Sequence, residues 1–149
     1  MSITLGAENR EAGLKQIDNE DGQTAPAVFD DRTARAVQST KNSGRYIYFA
    51  VDDSFKFGDA TGFTLEVEYF DAAPGRLSVE FDGSDESAPF NGADTRAPEC
   101  VNLAGTKSWR KATFSLKHTR FTNAQNRGAD FRLVAEASEF AVRSVKLVL

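Results

Sequence analysis

The stretch Phe63-Thr64-Leu65-Glu66-Val67-Glu68-Tyr69-Phe70 decides the fold class of this chain. Apolar and polar side chains alternate along it, and successive side chains of a β-strand point to opposite faces of the sheet. The apolar positions 63, 65, 67 and 69 therefore share one face, and the threonine and the two glutamates share the other. The stretch predicts a strand with one face in a hydrophobic core and the other in solvent.

The same signal recurs on both sides of this strand. Residues 45–51 form a strongly apolar run, and Leu77, Val79 and Phe81 share one face of residues 76–81. Because Pro74-Gly75 is a turn dipeptide between two alternating stretches, we predict a hairpin there. The remaining predicted strands lie at residues 100–103, 109–116, 131–135 and 140–149, with weaker signals at 14–17 and 33–37.

The chain as a whole predicts an all-β fold. About nine short strands separated by Gly, Pro and Asp are typical of a sandwich. No segment keeps the apolar period of an amphipathic helix for three turns. The length of 149 residues suits one domain. We therefore predict a single antiparallel β-sandwich of the jelly-roll type over residues 1–149, with an ordered core from about residue 10.

Composition argues against several classes of function. The net charge of −4 disfavours nucleic acid, because phosphate binding relies on clusters of Lys and Arg. No apolar run is long enough for a membrane span, and residues 1–9 lack the regions of a signal peptide. The single cysteine excludes an internal disulfide and a Cys-based metal site, and the single histidine argues against a Ser-His-Asp triad.

The longest connections are predicted to share one end of the sandwich. Successive connections of an antiparallel sandwich alternate between its ends, which places residues 18–26, 52–62, 82–98 and 117–130 together. Long loops often carry function, and polar groups beside an aromatic ring suit a polar ligand. A merely solvated loop at residues 82–98 is the alternative. The candidate ligand-binding residues are Asp85, Phe90, Asn91, Asp94, Arg96, Arg120, Asn123, Gln125 and Arg127.

The acidic turn at residues 18–22 is a candidate calcium site. Asp18, Glu20 and Asp21 offer the carboxylate oxygens that calcium prefers. Their spacing does not match an EF-hand loop, so an ion would have to be shared with acidic loops of other strands. A structural calcium ion is one expectation and a solvated turn is the other. No cofactor is required by either.

Four further residues have structural interpretations. Asp130 and Arg132 are expected to fix the strand that follows a tight turn at residues 126–128. Trp109 opens a predicted strand and is expected to pack in the core or at its edge rather than to serve as a sugar platform. Cys100 is expected to be buried as a small apolar residue.

Residues 46–55, 65–71, 105–114 and 128–133 carry a family resemblance. They resemble the galactose-binding-like β-sandwich modules of bacterial glycoside hydrolases and polysaccharide lyases, over roughly residues 10–149. The resemblance implies a jelly-roll module without catalytic activity that binds a polysaccharide through loops at one end. It also implies attachment to a catalytic domain in a secreted parent protein, which is extracellular or periplasmic, and in some members a structural calcium ion.

Three functions follow from these observations. The first is a non-catalytic carbohydrate-binding module that recognises a polysaccharide or oligosaccharide. The second is a structural spacer or packing domain of a multidomain glycoside hydrolase or polysaccharide lyase. The third, a stand-alone hydrolase or lyase, is disfavoured because the chain has no recognisable nucleophile motif. Likeness of fold does not choose between the first two, since function depends on the site.

Overall fold

The computed structural model describes residues 1–38, 45–56 and 62–149. These residues contain thirteen strands and three short 3-10 turns, at Asp53–Phe55, Pro89–Gly92 and Asn126–Gly128. No helix among them is long and apolar enough to cross a membrane. The strands are β1 (Ser2–Thr4), β2 (Arg10–Ala12), β3 (Leu14–Ile17), β4 (Gln23–Phe29), β5 (Arg32–Gln38), β6 (Tyr46–Val51), β7 (Gly62–Phe70), β8 (Pro74–Phe81), β9 (Thr95–Arg96), β10 (Val101–Ala104), β11 (Trp109–Lys117), β12 (Phe131–Ala137) and β13 (Ala141–Val148).

The strands form two antiparallel sheets, as the sequence predicts. The first sheet has the order β11-β7-β13-β1-β2, and β5 extends it by pairing with β13 and with β4. The second sheet has the order β10-β8-β12-β6-β3, with β9 beside β8. The two sheets pack face to face around one large apolar cluster. The predicted all-β antiparallel sandwich is therefore confirmed.

The alternation that predicts the fold also builds the core. Phe63, Leu65, Val67 and Tyr69 of β7 are buried, whereas the intervening Thr64 and Glu66 are exposed. Phenylalanine rings dominate the centre of the sandwich, and burying each ring contributes roughly 1.5 to 3 kcal/mol. Three ring pairs of this cluster have their centroids 5.2 to 5.6 Å apart, and they are Phe49–Phe131, Phe63–Phe121 and Tyr69–Phe140.

The ordered core starts earlier than the sequence predicts. Ile3 and Leu5 are buried, and β1 pairs with β13 on one side and with β2 on the other. The prediction of a start near residue 10 is therefore wrong. A strand of only three residues is too short to show alternation, and its stability comes from its place beside the long β13.

The predicted hairpin at Pro74-Gly75 is also wrong, because β7 and β8 lie in different sheets. Asp71 explains why the chain crosses from one sheet to the other after β7. Its buried carboxylate accepts hydrogen bonds from the backbone amides of Gly105 and Thr106, both at 3.0 Å. Burial acts to raise the pKa of Asp71, but these hydrogen bonds outweigh it and the pKa lies below its usual value. The bonds pull the chain after β7 towards residues 105–106 and away from a tight turn.

Cys100 is exposed, which corrects its predicted burial. In the strand that follows, Leu103 is buried and Val101 packs partly buried against the core, so these two positions face inwards. Because side chains alternate along extended chain, Cys100 points to the opposite face, which it shares with the exposed Asn102.

Candidate functional site

The long connections meet at one end of the sandwich, as their lengths and order predict. The Lys56 ammonium donates to the side-chain oxygen of Asn123 at 2.8 Å, which joins the connection after β6 to that after β11. The side-chain amide of Asn126 donates to Asp21 at 3.1 Å, which brings in residues 18–22. Residues 57–61 of the second connection lie outside the described residues.

Asp82 ties the connection after β8 to the same end. Its carboxylate is fully buried and accepts two hydrogen bonds from the Arg120 guanidinium, at 3.0 and 2.8 Å. It also accepts from the amide and hydroxyl of Thr122, at 2.7 and 2.9 Å, and from the Ala124 amide at 3.3 Å. Hydrogen bonds to a buried charge are strong, so this one carboxylate fixes residues 120–124 against the end of β8.

Asp130 is the second buried anchor at this end. Its carboxylate accepts from the backbone amides of Val51 at 2.8 Å and Asn123 at 2.9 Å, and it lies 3.1 Å from the Lys56 ammonium. Burial raises the pKa of Asp130, although these hydrogen bonds and the Lys56 charge oppose the shift. The predicted structural role of Asp130 is confirmed, because it holds the start of β12 to the end of β6.

A cavity of about 330 Å³ lies between these connections and the outer face of the second sheet. The sheet contributes Tyr46 from β6 and Arg132 from β12, and the connection after β8 contributes Phe90 and Asp94. We call it the Arg132 cavity. Its lining consists of Asp21, Tyr46, Phe90, Ala93, Asp94, Ala124, Gln125, Asn126 and Arg132.

Arg132 lies at the centre of a network of charged and aromatic groups. Its guanidinium donates to the Tyr48 hydroxyl at 2.6 Å, to Glu80 at 3.2 Å and to Asp94 at 3.3 Å. It also stacks 4.0 Å above the centre of the Tyr46 ring. Burial acts to lower the pKa of Arg132, but the Tyr48 hydrogen bond and the two carboxylates outweigh it and the pKa is raised. The group is a fixed cation with a fixed orientation.

Two carboxylates complete the cavity. Asp21 accepts hydrogen bonds from the Tyr48 hydroxyl and from the Asn126 amide, both at 3.1 Å. Asp94 forms an ion pair with Arg132 at 3.3 Å. Burial raises the pKa of Asp94, the charge of Arg132 opposes the shift, and the charges of Glu80 and Asp21 add to it.

Buried polar atoms without a protein partner gather at this cavity. The described residues contain four such side-chain atoms, and three of them belong to residues of the cavity lining. Buried polar groups are almost always hydrogen-bonded, and an unpaired one costs about 1 to 3 kcal/mol. The three atoms provide two acceptors and one donor: Asp21 Oδ1, Gln125 Oε1 and Arg132 Nε.

Phe90 presents an exposed aromatic ring at the rim of the cavity. Its side chain is 78% exposed, the most of any phenylalanine in the described residues. Phe90, Asn91 and Gly92 have φ values of 54°, 56° and 93°, a left-handed conformation that costs about 1 to 2 kcal/mol for a residue with a side chain. The Gly92 carbonyl accepts hydrogen bonds from the Gly83 amide at 2.8 Å and from the Thr95 hydroxyl at 2.7 Å, and these bonds hold the conformation.

A larger hollow, of about 500 Å³, lies elsewhere, beside the start of β3 and the end of β6. Its lining, residues 11, 13–15 and 50–53, includes no aromatic side chain. None of the unpartnered polar atoms found in the described residues belongs to it. The Arg132 cavity is therefore the better candidate for a ligand site.

The fold matches solved structures, although no protein-family model matches the sequence and no curated protein is significantly similar to it. The xylan-binding domain CBM22-1 of Xyn10C from Paenibacillus barcinonensis superimposes with a TM-score of 0.53 at 10% identity, over 99% of this chain and 93% of that chain. CBM29_1 from Piromyces equi gives a TM-score of 0.52 at 10% identity, over 100% and 91%. The chain has the fold of a carbohydrate-binding module. The predicted resemblance is confirmed at the level of the β-sandwich.

Of the predicted ligand-binding residues, Phe90, Asp94 and Gln125 line the Arg132 cavity. Arg127 lines a smaller cavity beside it. The other predicted residues are not part of either lining. Asp85, Asn91 and Arg96 are exposed on the connection after β8, whereas Arg120 and Asn123 bind protein groups, as described above, and position the loop that contains Gln125.

Six residues of the cavity lining are outside the predicted ligand-binding set, and they are Ala93, Ala124, Tyr46, Arg132, Asn126 and Asp21. No ligand-binding role is predicted for Tyr46, although a tyrosine on the outward face of the apolar run of β6 is a signal that could have indicated one. Arg132 has the predicted structural role, since its hydrogen bonds link β12 to β6 and β8, and it also forms the cavity floor. Asn126 belongs to the predicted tight turn, and Asp21 belongs to the predicted calcium site.

The acidic residues of the predicted calcium site have other partners. The Asp18 carboxylate accepts from the side chain of Gln16 at 2.7 Å and from the Thr24 hydroxyl at 2.9 Å. Asp21 binds Tyr48 and Asn126, and Glu20 is exposed. Within residues 1–38, 45–56 and 62–149, no group of three His, Cys, Asp or Glu side chains is placed to hold a metal ion. Calcium binding stays a prediction.

Proposed function

We propose that this chain is a non-catalytic carbohydrate-binding module that binds a glycan in the Arg132 cavity. The observation that carries the proposal is the combination of an exposed aromatic ring, Phe90, with convergent polar side chains in one cavity. A sugar ring has an apolar face and a rim of hydroxyl groups, so it needs both kinds of contact. The sandwich fold shared with carbohydrate-binding modules supports the same function.

Each part of the lining has a role in this proposal. The Phe90 ring covers the apolar face of a sugar, and the Tyr46 ring, which stacks on Arg132, is a second aromatic side chain of the lining. Asp21 and Asp94 accept hydrogen bonds from hydroxyl groups, because ionised carboxylates are acceptors only. Gln125 is held by its amide, which donates to the Ala93 carbonyl at 2.8 Å, and its oxygen remains as a further acceptor.

The charges of the cavity favour a neutral sugar over a uronic acid. Two carboxylates, Asp21 and Asp94, line the cavity with one cation, Arg132. That cation is already paired with Glu80 and Asp94, at 3.2 and 3.3 Å. The carboxylate of a uronic acid would meet net negative charge there, and like charges in a partly buried site repel strongly. We therefore propose a neutral polysaccharide as the ligand, and xylan, which the similar CBM22-1 domain binds, is one candidate.

The geometry favours binding over both catalysis and a spacer role. The cavity lining includes no His, Cys or Ser. Both of its carboxylates are held by other groups, Asp21 by Tyr48 and Asn126 and Asp94 by Arg132, which suits recognition more than proton transfer. A spacer role gives no reason for an aromatic ring that is 78% exposed and lines a cavity. We further propose that the module belongs to an extracellular or periplasmic protein with a catalytic domain.

Affinity electrophoresis tests the proposed function. Native gels would contain xylan, hydroxyethylcellulose or laminarin as neutral polymers, and polygalacturonate or alginate as acidic ones. We expect retardation by at least one neutral polymer and by neither acidic one. Asn126→Ala should reduce the retardation, because Asn126 lines the cavity, whereas Asn102→Ala, an exposed asparagine on β10, should not. Migration unaffected by every neutral polymer, or equal retardation of the two variants, would contradict the proposal.

A further inference from the structure

A second cavity adjoins the Arg132 cavity. Its volume is about 240 Å³, and its lining consists of Asn19, Glu20, Asn126 and Arg127. Asn126 lines both cavities, so the two share a wall. We call it the Asn19 cavity. It is formed by the acidic turn before β4 and by the 3-10 turn before β12.

Asn19 is a buried amide with one half of its hydrogen-bonding capacity unused. The residue is only 5% exposed. Its side-chain oxygen accepts from the Asp21 amide at 3.2 Å, and its backbone pairs with Gly22 at 2.9 and 3.4 Å. Its Nδ2 is the fourth of the unpartnered buried polar atoms in the described residues. A donor left unpaired in this way is costly unless a ligand or solvent accepts from it.

The other lining groups complement this donor. Arg127 is exposed and forms no ion pair among the described residues, so its guanidinium is a second donor. Glu20 is an exposed acceptor. The side-chain amide of Asn126 donates to Asp21 and to Tyr48, which fixes the wall between the cavities. The lining thus offers donors and an acceptor but no aromatic ring.

We propose that the Asn19 cavity is a second sugar subsite, which binds the residue next to the one in the Arg132 cavity. This inference rests on the proposed function and deepens it. Paired donors and acceptors match neighbouring hydroxyl groups, and the opposite charges of Arg127 and Glu20 leave the subsite neutral. The ligand is therefore a chain of at least two linked neutral sugars, not a single terminal residue.

Chain length is the first test. Titrations followed by nuclear magnetic resonance would compare xylose with xylobiose and xylotriose, and glucose with cellobiose and cellotriose. One net hydrogen bond in a second subsite corresponds to an affinity gain of about threefold to tenfold from one unit to two. The side-chain amide signal of Asn19 should move with the disaccharide and not with the monosaccharide. Equal affinities for one and two units, with a static Asn19 amide signal, would overturn the second subsite.

A matched pair of variants is the second test. Arg127→Asn removes the guanidinium, and asparagine tolerates the positive φ of 55° at this position. Lys107→Asn is the control, since Lys107 is an exposed cation with a φ of 58° in the connection between β10 and β11. We expect Arg127→Asn to weaken disaccharide binding by about threefold to tenfold and to leave monosaccharide binding unchanged.

The possible outcomes separate the two proposals. If Arg127→Asn weakens monosaccharide and disaccharide equally, or neither, the second subsite is wrong while binding in the Arg132 cavity stands. If none of these sugars binds and no neutral polymer retards the protein, the proposed function fails and the subsite fails with it. Loss of disaccharide binding in Lys107→Asn as well would also contradict the subsite, because that residue lies outside both linings.

Discussion

Replacing Phe90 by alanine should weaken glycan binding strongly and leave the fold almost unchanged. The side chain is 78% exposed, so little apolar contact with the protein is lost when it is removed. Surface substitutions of this kind usually change the free energy of unfolding by less than about 0.5 kcal/mol. The ring is nevertheless part of the Arg132 cavity, where it would cover one face of a sugar.

The loss of affinity can be worked out from the exposed area of the ring. A phenylalanine side chain offers about 150 to 250 Å² of surface. The side chain of Phe90 is 78% exposed, and a sugar that covers half of this exposed part buries about 70 Å² of it. At about 25 cal/mol per Å², this contact is worth about 1.8 kcal/mol, which is about twentyfold in the dissociation constant. Ordering the ring and the ligand reduces this figure, so we expect a loss of about tenfold.

Isothermal titration calorimetry with the best neutral oligosaccharide, together with a thermal melt, measures both quantities. Phe55→Ala is the matched control. Phe55 is a second exposed phenylalanine, 44% exposed in the 3-10 turn after β6, and it does not line the Arg132 cavity. If Phe90→Ala binds as tightly as the parent protein, or if Phe55→Ala loses as much affinity, the platform role of Phe90 is refuted. A large drop in the melting temperature of Phe90→Ala would refute the burial argument instead.

Trp109→Ala should lower the free energy of unfolding in urea by about 2 to 3 kcal/mol, less than for a fully buried tryptophan, because its ring is half-buried against Phe29 and Phe70. Binding should weaken as pH falls through the raised pKa of Asp94, since the ionised form accepts hydrogen bonds, and calorimetry on Asp94→Asn should show a flatter pH profile. Calcium should raise the melting temperature if residues 18–22 bind it, and equal values with calcium and with chelator would remove that prediction.

The sequence predicts the long strands and the fold class because their signal is local. The alternation of β7 needs only its own residues, and the same holds for β8 and β11. The sequence does not predict β4, because Pro26 interrupts it. Proline is tolerated there because, among the strands that the structure describes, β4 pairs only with β5, at the edge of its sheet. The prediction that the long connections share one end is correct even though the predicted hairpin is wrong. A strand that crosses to the other sheet still reverses direction, so the alternation between the two ends is kept.

The candidate site was only partly predictable, because its centre depends on register between distant strands. Arg132 lies opposite Tyr48 in one ladder and opposite Glu80 in the other. No spacing within the sequence reveals that these three side chains meet. Phe90 and Asp94 could be found because they lie on one long polar loop, where an isolated aromatic residue is conspicuous. The hydrogen bonds from Arg120 to Asp82 could not be predicted either, because the two residues lie on different connections.

The two ends of the chain lie side by side. The Met1 amino group donates to the Leu147 carbonyl at 3.1 Å, and the Leu147 amide donates to the Met1 carbonyl at 2.8 Å. In the same sheet Val148 is paired with Thr64 at the start of β7, which is the end where the long connections meet. A polypeptide fused to either terminus would therefore emerge at the same end of the sandwich as the long connections. If the proposed glycan binds at this end, an enzyme tethered there would meet the same polymer at an effective concentration set by the linker length.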